Sequence, residues 1–357
     1  MLHFDHTTLA QRVLFSSGKA AENLAKEVAR LDSHSVMVIS GGSEHSVAQD
    51  ICAEIRPVLF YDDVAPHVPM DKAEKARAAA GELGIDLIVS IGGGSTTGLA
   101  KAVTLTTGVP IVAIPTTYAG SEATNVWGIT ESARKTTGVD DRVLPVTVIY
   151  DATLVQSLPV ALSVSSGLNA LAHGIDAMWA PRADPINQTM AIEAIRVLNR
   201  GLTTLVAAPQ DVRGHELCLY GAYLSAVAFA SAGSGLHHKI CHVLGGAYNL
   251  PHAQTHAVVL PYVLAYNAPA VPQLAARIAE AFGAATALDG LQRLRNTLDA
   301  PRALRDYGFR VSDIAEAVEL IMPVIPATNP RPVTRISLSA LLHAAWSGDQ
   351  PNVGNEQ

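Results

Sequence analysis

The sequence predicts a parallel α/β domain at residues 1–158, followed by an all-helical domain at residues 159–357. Three observations lead to this fold class. The chain has 357 residues, which is more than a single hydrophobic core usually accommodates. As far as Leu158, short apolar runs alternate with helical patterns. After Pro159 apolar residues recur at helical spacing and β-branched runs are scarce, so the predicted boundary lies near residue 158.

Five apolar runs predict the strands of the first domain. They are Ser35–Ser40, the run VLFYDDV, Asp86–Ile91, Val109–Thr116, and the run VTVIYD that ends at Asp151. Helical stretches such as HSVAQDICAEI and MDKAEKARAAAGELG separate these runs. Continuous apolar strands separated by helices are typical of a parallel sheet that is covered on both faces. In the second domain, stretches such as SSGLNALAHGIDAMWA, INQTMAIEAIRVLNRGL and VPQLAARIAEAFG predict helices.

The composition argues against several classes of protein. The net charge of −7 and the lack of a long basic run make nucleic acid an unexpected partner. Three widely spaced cysteines without a CxxC pair are typical of a reducing compartment. The N-terminus MLHFDHTTLAQRVLF lacks a signal-peptide pattern, and no apolar stretch approaches the roughly 18 residues of a membrane span. We therefore expect a cytoplasmic protein with no membrane partner. The alanine, valine and leucine spread along the chain favour a large core and a subunit interface, and so a homodimer.

The segment DLIVSIGGGSTTGLAKA predicts a strand, a turn and a helix that together can bind phosphate. A buried strand ends at Ile91, Gly92, Gly93 and Gly94 follow, and a helix begins near Ser95. Glycines let backbone amides approach a ligand closely, and a helix N-terminus adds donors and a partial positive charge. The pattern favours a pyrophosphate, although its spacing is neither GxGxxG nor that of a Walker loop. An ordinary strand-to-helix turn is the alternative interpretation.

Two further loops follow predicted strands. The loop AIPTTYAGSEAT carries hydroxyl groups that can contact phosphate, ribose or nicotinamide, or can simply cap the next helix: Thr116, Thr117, Ser121 and Thr124. After Ser40 come Gly41, Gly42 and Ser43, where an acidic residue would normally bind the ribose 2′-hydroxyl of NAD. Since these three residues are small and uncharged, we expect NADH as the cofactor, with NADPH also accepted.

Histidines are concentrated in the second domain. Three pairs with a spacing of four residues each share one helical face: Asn169 and His173, His238 and His242, and His252 and His256. Five of the thirteen histidines lie in the short segment 237–256, namely His237, His238, His242, His252 and His256. A lone histidine is usually a packed residue, whereas a cluster of titratable groups indicates a functional site. Three imidazoles and one oxygen donor also resemble the ligands of a divalent transition metal.

Taken together, these features resemble the iron-containing alcohol dehydrogenase family. Its sequences carry a GGGS turn, an IPTT…GSE-T loop, a D-A-x-x-H helix, an H-x-x-x-H-x-x-G segment and a P-H-G turn. The corresponding segments here are Gly92–Ser95, Ile114–Thr124, Asn169–His173, His238–Gly245 and Pro251–Ala253. The resemblance covers essentially the whole chain. It implies a Rossmann-like dinucleotide-binding domain, a helical catalytic domain and a nicotinamide-dependent oxidoreductase activity.

Two departures from the family pattern resemble its maleylacetate reductase branch. Asn169 stands where the family has an aspartate, and Ala253 stands in place of the glycine of P-H-G. The tail Asn329–Arg335, which reads NPRPVTR, also resembles that branch. The branch reduces the C=C bond of maleylacetate to give 3-oxoadipate in bacterial breakdown of aromatic compounds by resorcinol, hydroxyquinol and chlorocatechol routes. The implied substrate is therefore a small dicarboxylate.

The resemblance also implies roles for individual residues. The family's metal positions correspond to Asn169, His173, His238 and His252. Because Asn169 is neutral, and because hydrogen-bond donors can stabilise an enolate, we expect these positions to be vacant or not required. We expect His242 and His252 to be the main catalytic residues, supported by His173 and His238. The same four histidines and Asn169 are expected to bind substrate, with protonated histidines, Arg331 and Arg335 as candidate cations.

Two alternatives remain open at this point. One is a metal-dependent alcohol, glycerol or lactaldehyde dehydrogenase of the same family, against which Asn169 argues. The other is a non-enzymatic NAD-binding protein, against which the complete histidine series and the two complete loops argue.

Overall fold

The computed structural model describes residues 3–131 and 134–351. They form two compact units, of which the first comprises Thr8–Leu158. The second comprises the residues from Pro159 onward together with residues 3–7. The predicted fold class, a parallel α/β part followed by a helical part, is confirmed.

The first unit is built on a parallel sheet. Its described strands are β1 (Arg12–Phe15), β2 (Val36–Ser40), β3 (Leu59–Tyr61), β4 (Leu87–Gly92), β5 (Ile111–Pro115), β6 (Val126–Glu131), β7 (Arg134–Val139) and β8 (Thr147–Tyr150). Six of them form the sheet in the order β1–β8–β5–β4–β2–β3, with every pairing parallel. Its helices are α1 (Ala20–Arg30), α2 (His45–Ile51), α3 (Met70–Glu82) and α4 (Gly94–Thr107). Strands β2, β4 and β5 are buried along their whole length, as expected for strands covered on both faces.

Sequence analysis missed β1 and the antiparallel hairpin of β6 and β7. Strand β1 has only four residues, two of them exposed and two half-buried, and the hairpin segment is rich in polar residues. Neither segment therefore gives the continuous apolar run by which a buried strand is recognised.

The order of the sheet places three predicted loops side by side, at the carboxyl ends of β2, β4 and β5. Strand β4 lies between β2 and β5, so that Ser40 pairs with Ile91 and Gly92 pairs with Pro115. The carboxyl ends of these three strands are therefore neighbours. After β2 the chain forms β3 at one end of the sheet. After β4 it forms β5, which lies on the other side of β4 from β2. Such a switch point is the usual ligand site of an open α/β sheet.

The regular secondary structure in the described residues of the second unit is helical. Its helices are α5 (Val160–Ala177), α6 (Pro185–Ala207), α7 (Val212–Ala232), α8 (Leu236–Tyr248), α9 (His252–Asn267), α10 (Pro272–Phe282), α11 (Ala287–Thr297), α12 (Ile314–Ile321) and α13 (Arg335–Ser347). Helix α5 is the central helix, because every residue from Ser163 to Ala177 is buried. Among the described residues, no single helix is long and apolar enough to cross a bilayer. Helices α7 and α8 meet that criterion only as a pair, and the pair is bent by 98°.

Candidate active site

The GGGS turn joins β4 to α4 and leaves backbone donors at the start of the helix. Gly93 is the N-cap residue and has no side chain that could accept hydrogen bonds from the first amides of α4. Gly92 has a φ of 153°, which favours glycine, and an added Cβ would lie 2.4 Å from Oγ1 of Thr96. This geometry suits an anionic group placed against the helix N-terminus.

The structure brings two of the three predicted loops into direct contact. The amide of Thr116 donates to the carbonyl of Gly92 at 3.1 Å. A Cβ on Gly93 would lie 3.0 Å from Cγ2 of Thr117. Gly41, Gly42 and Ser43 follow β2, the neighbour of β4 on its other side. The hydroxyl of Ser43 donates to the carboxylate of Glu44 at 2.7 Å.

A buried lysine that the sequence analysis missed holds the loop after β5. The ammonium of Lys101 on α4 donates to the carbonyls of Ser121, Thr124 and Val126 at 2.6, 2.8 and 2.8 Å. It also contacts the hydroxyl of Thr124 at 3.1 Å, so this predicted cofactor-binding hydroxyl has a structural partner. Burial lowers the pKa of Lys101 to about 7. The available signal was a lysine within the otherwise apolar and small residues of GLAKAV.

Helices α5, α8 and α9 bring the predicted histidines together. The rings of His173 and His238 are stacked, with centroids 4.7 Å apart. The ring of His256 lies 4.8 Å from that of His238 and 4.4 Å from that of His252. The ring of His242 lies 5.9 Å from that of His238 and 6.4 Å from that of His252. Asn169 is buried on α5, one helical turn before His173.

Burial divides these histidines into two groups. His173, His237, His238 and His256 are buried, whereas His242 is half-buried and His252 is exposed. Burial lowers the pKa of His173 to about 4 and that of His237 to about 3, and it holds the pKa of His238 and His256 well below the usual range. These four imidazoles are therefore neutral at neutral pH, and they are not the protonated histidines that were considered as binders of the substrate carboxylates.

A buried carboxylate, which the sequence analysis also missed, lies beside the cluster. Oδ2 of Asp176 on α5 is 2.8 Å from Nδ1 of His238 and accepts from the amide of Gly235 at 2.9 Å. Burial raises the pKa of Asp176 to about 7, while the backbone amides at the start of α8 act in the opposite direction. A second short contact joins Nε2 of His237 to Nδ1 of His256 at 2.8 Å.

The donor set fits a divalent transition metal. Nδ1 of His173 and Nε2 of His238 and His256 are buried and have no hydrogen-bond partner within the described residues. His237, Cys241 and His256 each offer one ligand atom, and these three atoms lie within 4.8 Å of one another. Neutral imidazoles together with a thiolate suit zinc or iron. Burial raises the pKa of Cys241 well above its usual value, and a coordinated metal would deprotonate that thiol.

The two candidate arginines have other partners. The guanidinium of Arg335 pairs with the carboxylate of Glu319 at 2.7 Å, and its side chain is 65% exposed. The guanidinium of Arg331 lies 4.6 Å from the centre of the Tyr266 ring. Arg335 therefore forms a surface salt bridge of the kind that contributes little to stability.

Comparison with known families gives matches in both parts of the chain. The family model described as "Iron-containing alcohol dehydrogenase" matches residues 10–152. The model described as "Fe-containing alcohol dehydrogenase family, C-terminal" matches residues 163–346.

Individual relatives match over almost their whole length. The maleylacetate reductase of Pseudomonas sp. (strain P51) is 42% identical over 352 residues, which are 98% of this chain and 99% of the relative. The crystal structure of an iron-containing alcohol dehydrogenase from Corynebacterium glutamicum is 60% identical, covers 99% of both chains and has a TM-score of 0.97. The crystal structure of maleylacetate reductase from Rhizobium sp. strain MTP-10005 is 40% identical, with a TM-score of 0.91, over 98% of this chain and 100% of that one.

The prediction about the cofactors, NADH with no required metal, is wrong in its second part. The matching family is iron-containing, which implies a bound metal, and His237, Cys241 and His256 form a group that could hold one. The prediction considered only the charge at Asn169 and the three histidines of the family pattern. It did not consider that a cysteine from the next turn of α8 can supply a negative ligand once a metal is present. Because the two family models together match most of its residues, the chain belongs to the iron-containing alcohol dehydrogenase family.

Proposed function

We propose that this chain is a maleylacetate reductase, which uses NAD(P)H to reduce the C=C bond of maleylacetate and yields 3-oxoadipate. The observation that supports this proposal most directly is the 42% identity to a curated maleylacetate reductase over 98% of the chain. The role is a step in the breakdown of aromatic compounds. Cytoplasmic location, homodimeric assembly and a domain division at residue 158 stay predictions.

The reaction needs a hydride, a place for negative charge and a proton. The hydride from the reduced nicotinamide adds to the alkene carbon β to the ketone, and the electron pair of the C=C bond moves into an enolate. A proton then adds to the carbon α to the ketone and completes the saturated product. In this proposal the GGGS turn binds the cofactor pyrophosphate through the first amides of α4. Thr116 and Thr117 contact the cofactor beside that turn.

The burial of the histidines supports a division of roles among them. His173 and His238 are neutral, so each can accept a hydrogen bond or act as a metal ligand, but neither is a suitable proton donor. His242 is half-buried and His252 is exposed, so solvent can replace a proton that either ring gives up. They are the proposed donors of the proton to carbon. When a metal is bound at the cluster, it supplies a Lewis acid that stabilises negative charge.

The experiment follows the absorbance of NAD(P)H with maleylacetate and, in parallel, with simple aldehydes and ketones. Oxidation of ethanol, glycerol and lactaldehyde is measured with the oxidised cofactor. We expect oxidation of NAD(P)H that depends on maleylacetate and little turnover of the simple substrates. The 60% identical structure described as an alcohol dehydrogenase makes that activity the second candidate. Alcohol oxidation that is faster than maleylacetate reduction would establish the second candidate instead.

A further inference from the structure

Asp176 is a buried carboxylate that joins two helices of the histidine cluster. It lies on α5, three residues after His173, and only 1% of its surface is exposed. Its Oδ2 atom contacts both Nδ1 of His238 and the backbone amide of Gly235. His238 and Gly235 lie at the start of α8, about 60 residues further along the chain. This contact therefore fixes the position of α8, and of one particular imidazole on it, relative to α5.

The start of α8 is adapted to receive this carboxylate. The N-cap residue is Gly235, so no side chain of its own caps the helix. An added Cβ on Gly235 would lie 2.4 Å from Oδ1 of Asp176, and it would displace the carboxylate. Because the helix N-terminus carries a partial positive charge, a carboxylate from α5 can satisfy it electrostatically. Glycine at this position is what allows the close approach.

The same contact determines which nitrogen of His238 is available. A carboxylate accepts a hydrogen bond from Nδ1–H, and this assigns the proton of the neutral imidazole to Nδ1. Nε2 then presents a lone pair, and it has no partner within the described residues. The ring cannot readily turn, because it is stacked on His173 and packs at 4.3 Å against the ring of Phe229. His238 is thus held as an acceptor or a metal ligand through Nε2.

We propose that Asp176 is a positioning residue, which orients His238 and fixes its tautomer so that Nε2 can bind a metal or accept a hydrogen bond. A carboxylate that accepts from the second nitrogen of a metal-binding histidine orients the ring and raises its basicity. The proposal rests on the proposed function only for its kinetic consequences. The tautomer of His238 and the affinity for metal are properties of the cluster itself.

Asp176→Asn is the informative variant, because the amide keeps the shape of the carboxylate and removes its charge. We expect the affinity for Zn²⁺ or Co²⁺, measured by competition with a chromophoric chelator, to fall by about 10–100-fold. We expect kcat to fall by a similar factor, whereas KM for the cofactor stays within about twofold because the cofactor loops are untouched. Nitrogen NMR should show that His238 loses its preference for the Nδ1–H tautomer.

Asp184→Asn is the matched control. Asp184 is also a buried carboxylate that caps a helix, since it accepts from the amides of Ile186 and Asn187 at the start of α6. It also contacts a histidine ring, at 2.8 Å from Nδ1 of His6, but it lies outside the cluster. We expect metal affinity and kcat of this variant to match those of the wild type. A merely structural role for Asp176 predicts instead that both variants show similar losses.

A second variant tests the same contact if Asp176→Asn does not fold. Gly235→Ala displaces the carboxylate from the other side and should reproduce the losses in metal affinity and kcat. Wild-type metal affinity and an unchanged His238 tautomer in the variant that folds would overturn the proposal. Absence of maleylacetate reduction by the wild type would reject the proposed function, and the affinity and tautomer measurements would still decide the role of Asp176.

Discussion

Gly92→Ala is expected to weaken both the fold and the binding of the cofactor, because Gly92 forms the turn between β4 and α4. Its φ of 153° lies in a region that side chains rarely adopt, and holding alanine there costs about 1–3 kcal/mol. The new Cβ would lie 2.4 Å from Oγ1 and 2.9 Å from Cβ of Thr96, an overlap that costs about 1–3 kcal/mol more. The expected loss of unfolding free energy is therefore about 2–6 kcal/mol, a large part of a typical stability of 5–15 kcal/mol.

Gly94→Ala provides a matched control in the same turn. Gly94 begins α4, and its φ is not positive, so alanine can adopt its backbone conformation. A Cβ added to Gly94 would meet only the Cβ of Ala119, at 3.3 Å. A shift of a few tenths of an ångström relieves that contact, and alanine favours the helix by up to about 1 kcal/mol. Urea denaturation without cofactor should therefore separate the two variants by at least about 2 kcal/mol.

The same measurement with cofactor tests the role of the turn in binding. At a cofactor concentration of about 100 times Kd, the wild type should gain about 2.7 kcal/mol of stability. A hundredfold weaker Kd in Gly92→Ala would reduce this gain to about 0.4 kcal/mol. If Gly92→Ala were as stable as Gly94→Ala, or kept the full stabilisation by NADH, the reasoning about this turn would be refuted.

Three further predictions concern the histidine cluster, the metal and alkaline pH. His242→Ala or His252→Ala should lower kcat by about 10² or more with the fold intact, and near-normal turnover in both would transfer the role of proton donor to water. Exhaustive chelation should lower both activity and the thermal midpoint, and iron or zinc should restore them, since a ligand of the folded state stabilises it; full activity at negligible metal content would contradict this. Burial raises the pKa of the Cys52 thiol from 9.0 to about 12, because the folded protein disfavours the thiolate. The free energy of unfolding is therefore unaffected by this thiol below pH 9 and falls as the pH rises towards 12. The loss is at most about 4 kcal/mol, and urea denaturation from pH 8 upward should show a smaller decline in Cys52→Ala than in the wild type.

Much of the fold could be predicted because its signals are local. A buried strand such as Asp86–Ile91 shows itself as a continuous apolar run, and the glycines that follow it mark the turn. The spacing of four between His238 and His242 places both on one face of a helix, whatever lies opposite. The hairpin of β6 and β7 gave no such signal, because polar residues interrupt its few apolar ones, although Ile129 and Trp127 pack against the core.

The state of the site could not be predicted in the same way, because it depends on long-range contacts and on burial. Nothing near Asp176 in the sequence indicates that it contacts His238, since 61 residues separate them and only the packing of α8 beside α5 brings them together. The neutral state of His173 is likewise a consequence of burial, which lowers its pKa to about 4. The sequence by itself thus determined the fold class and the residue types of the site, through periodicity and spacing along the chain. The tertiary structure decided the partner of each imidazole, its protonation and the place of Cys241 among the possible metal ligands, because desolvation and hydrogen bonding between distant segments exist only once the helices have packed.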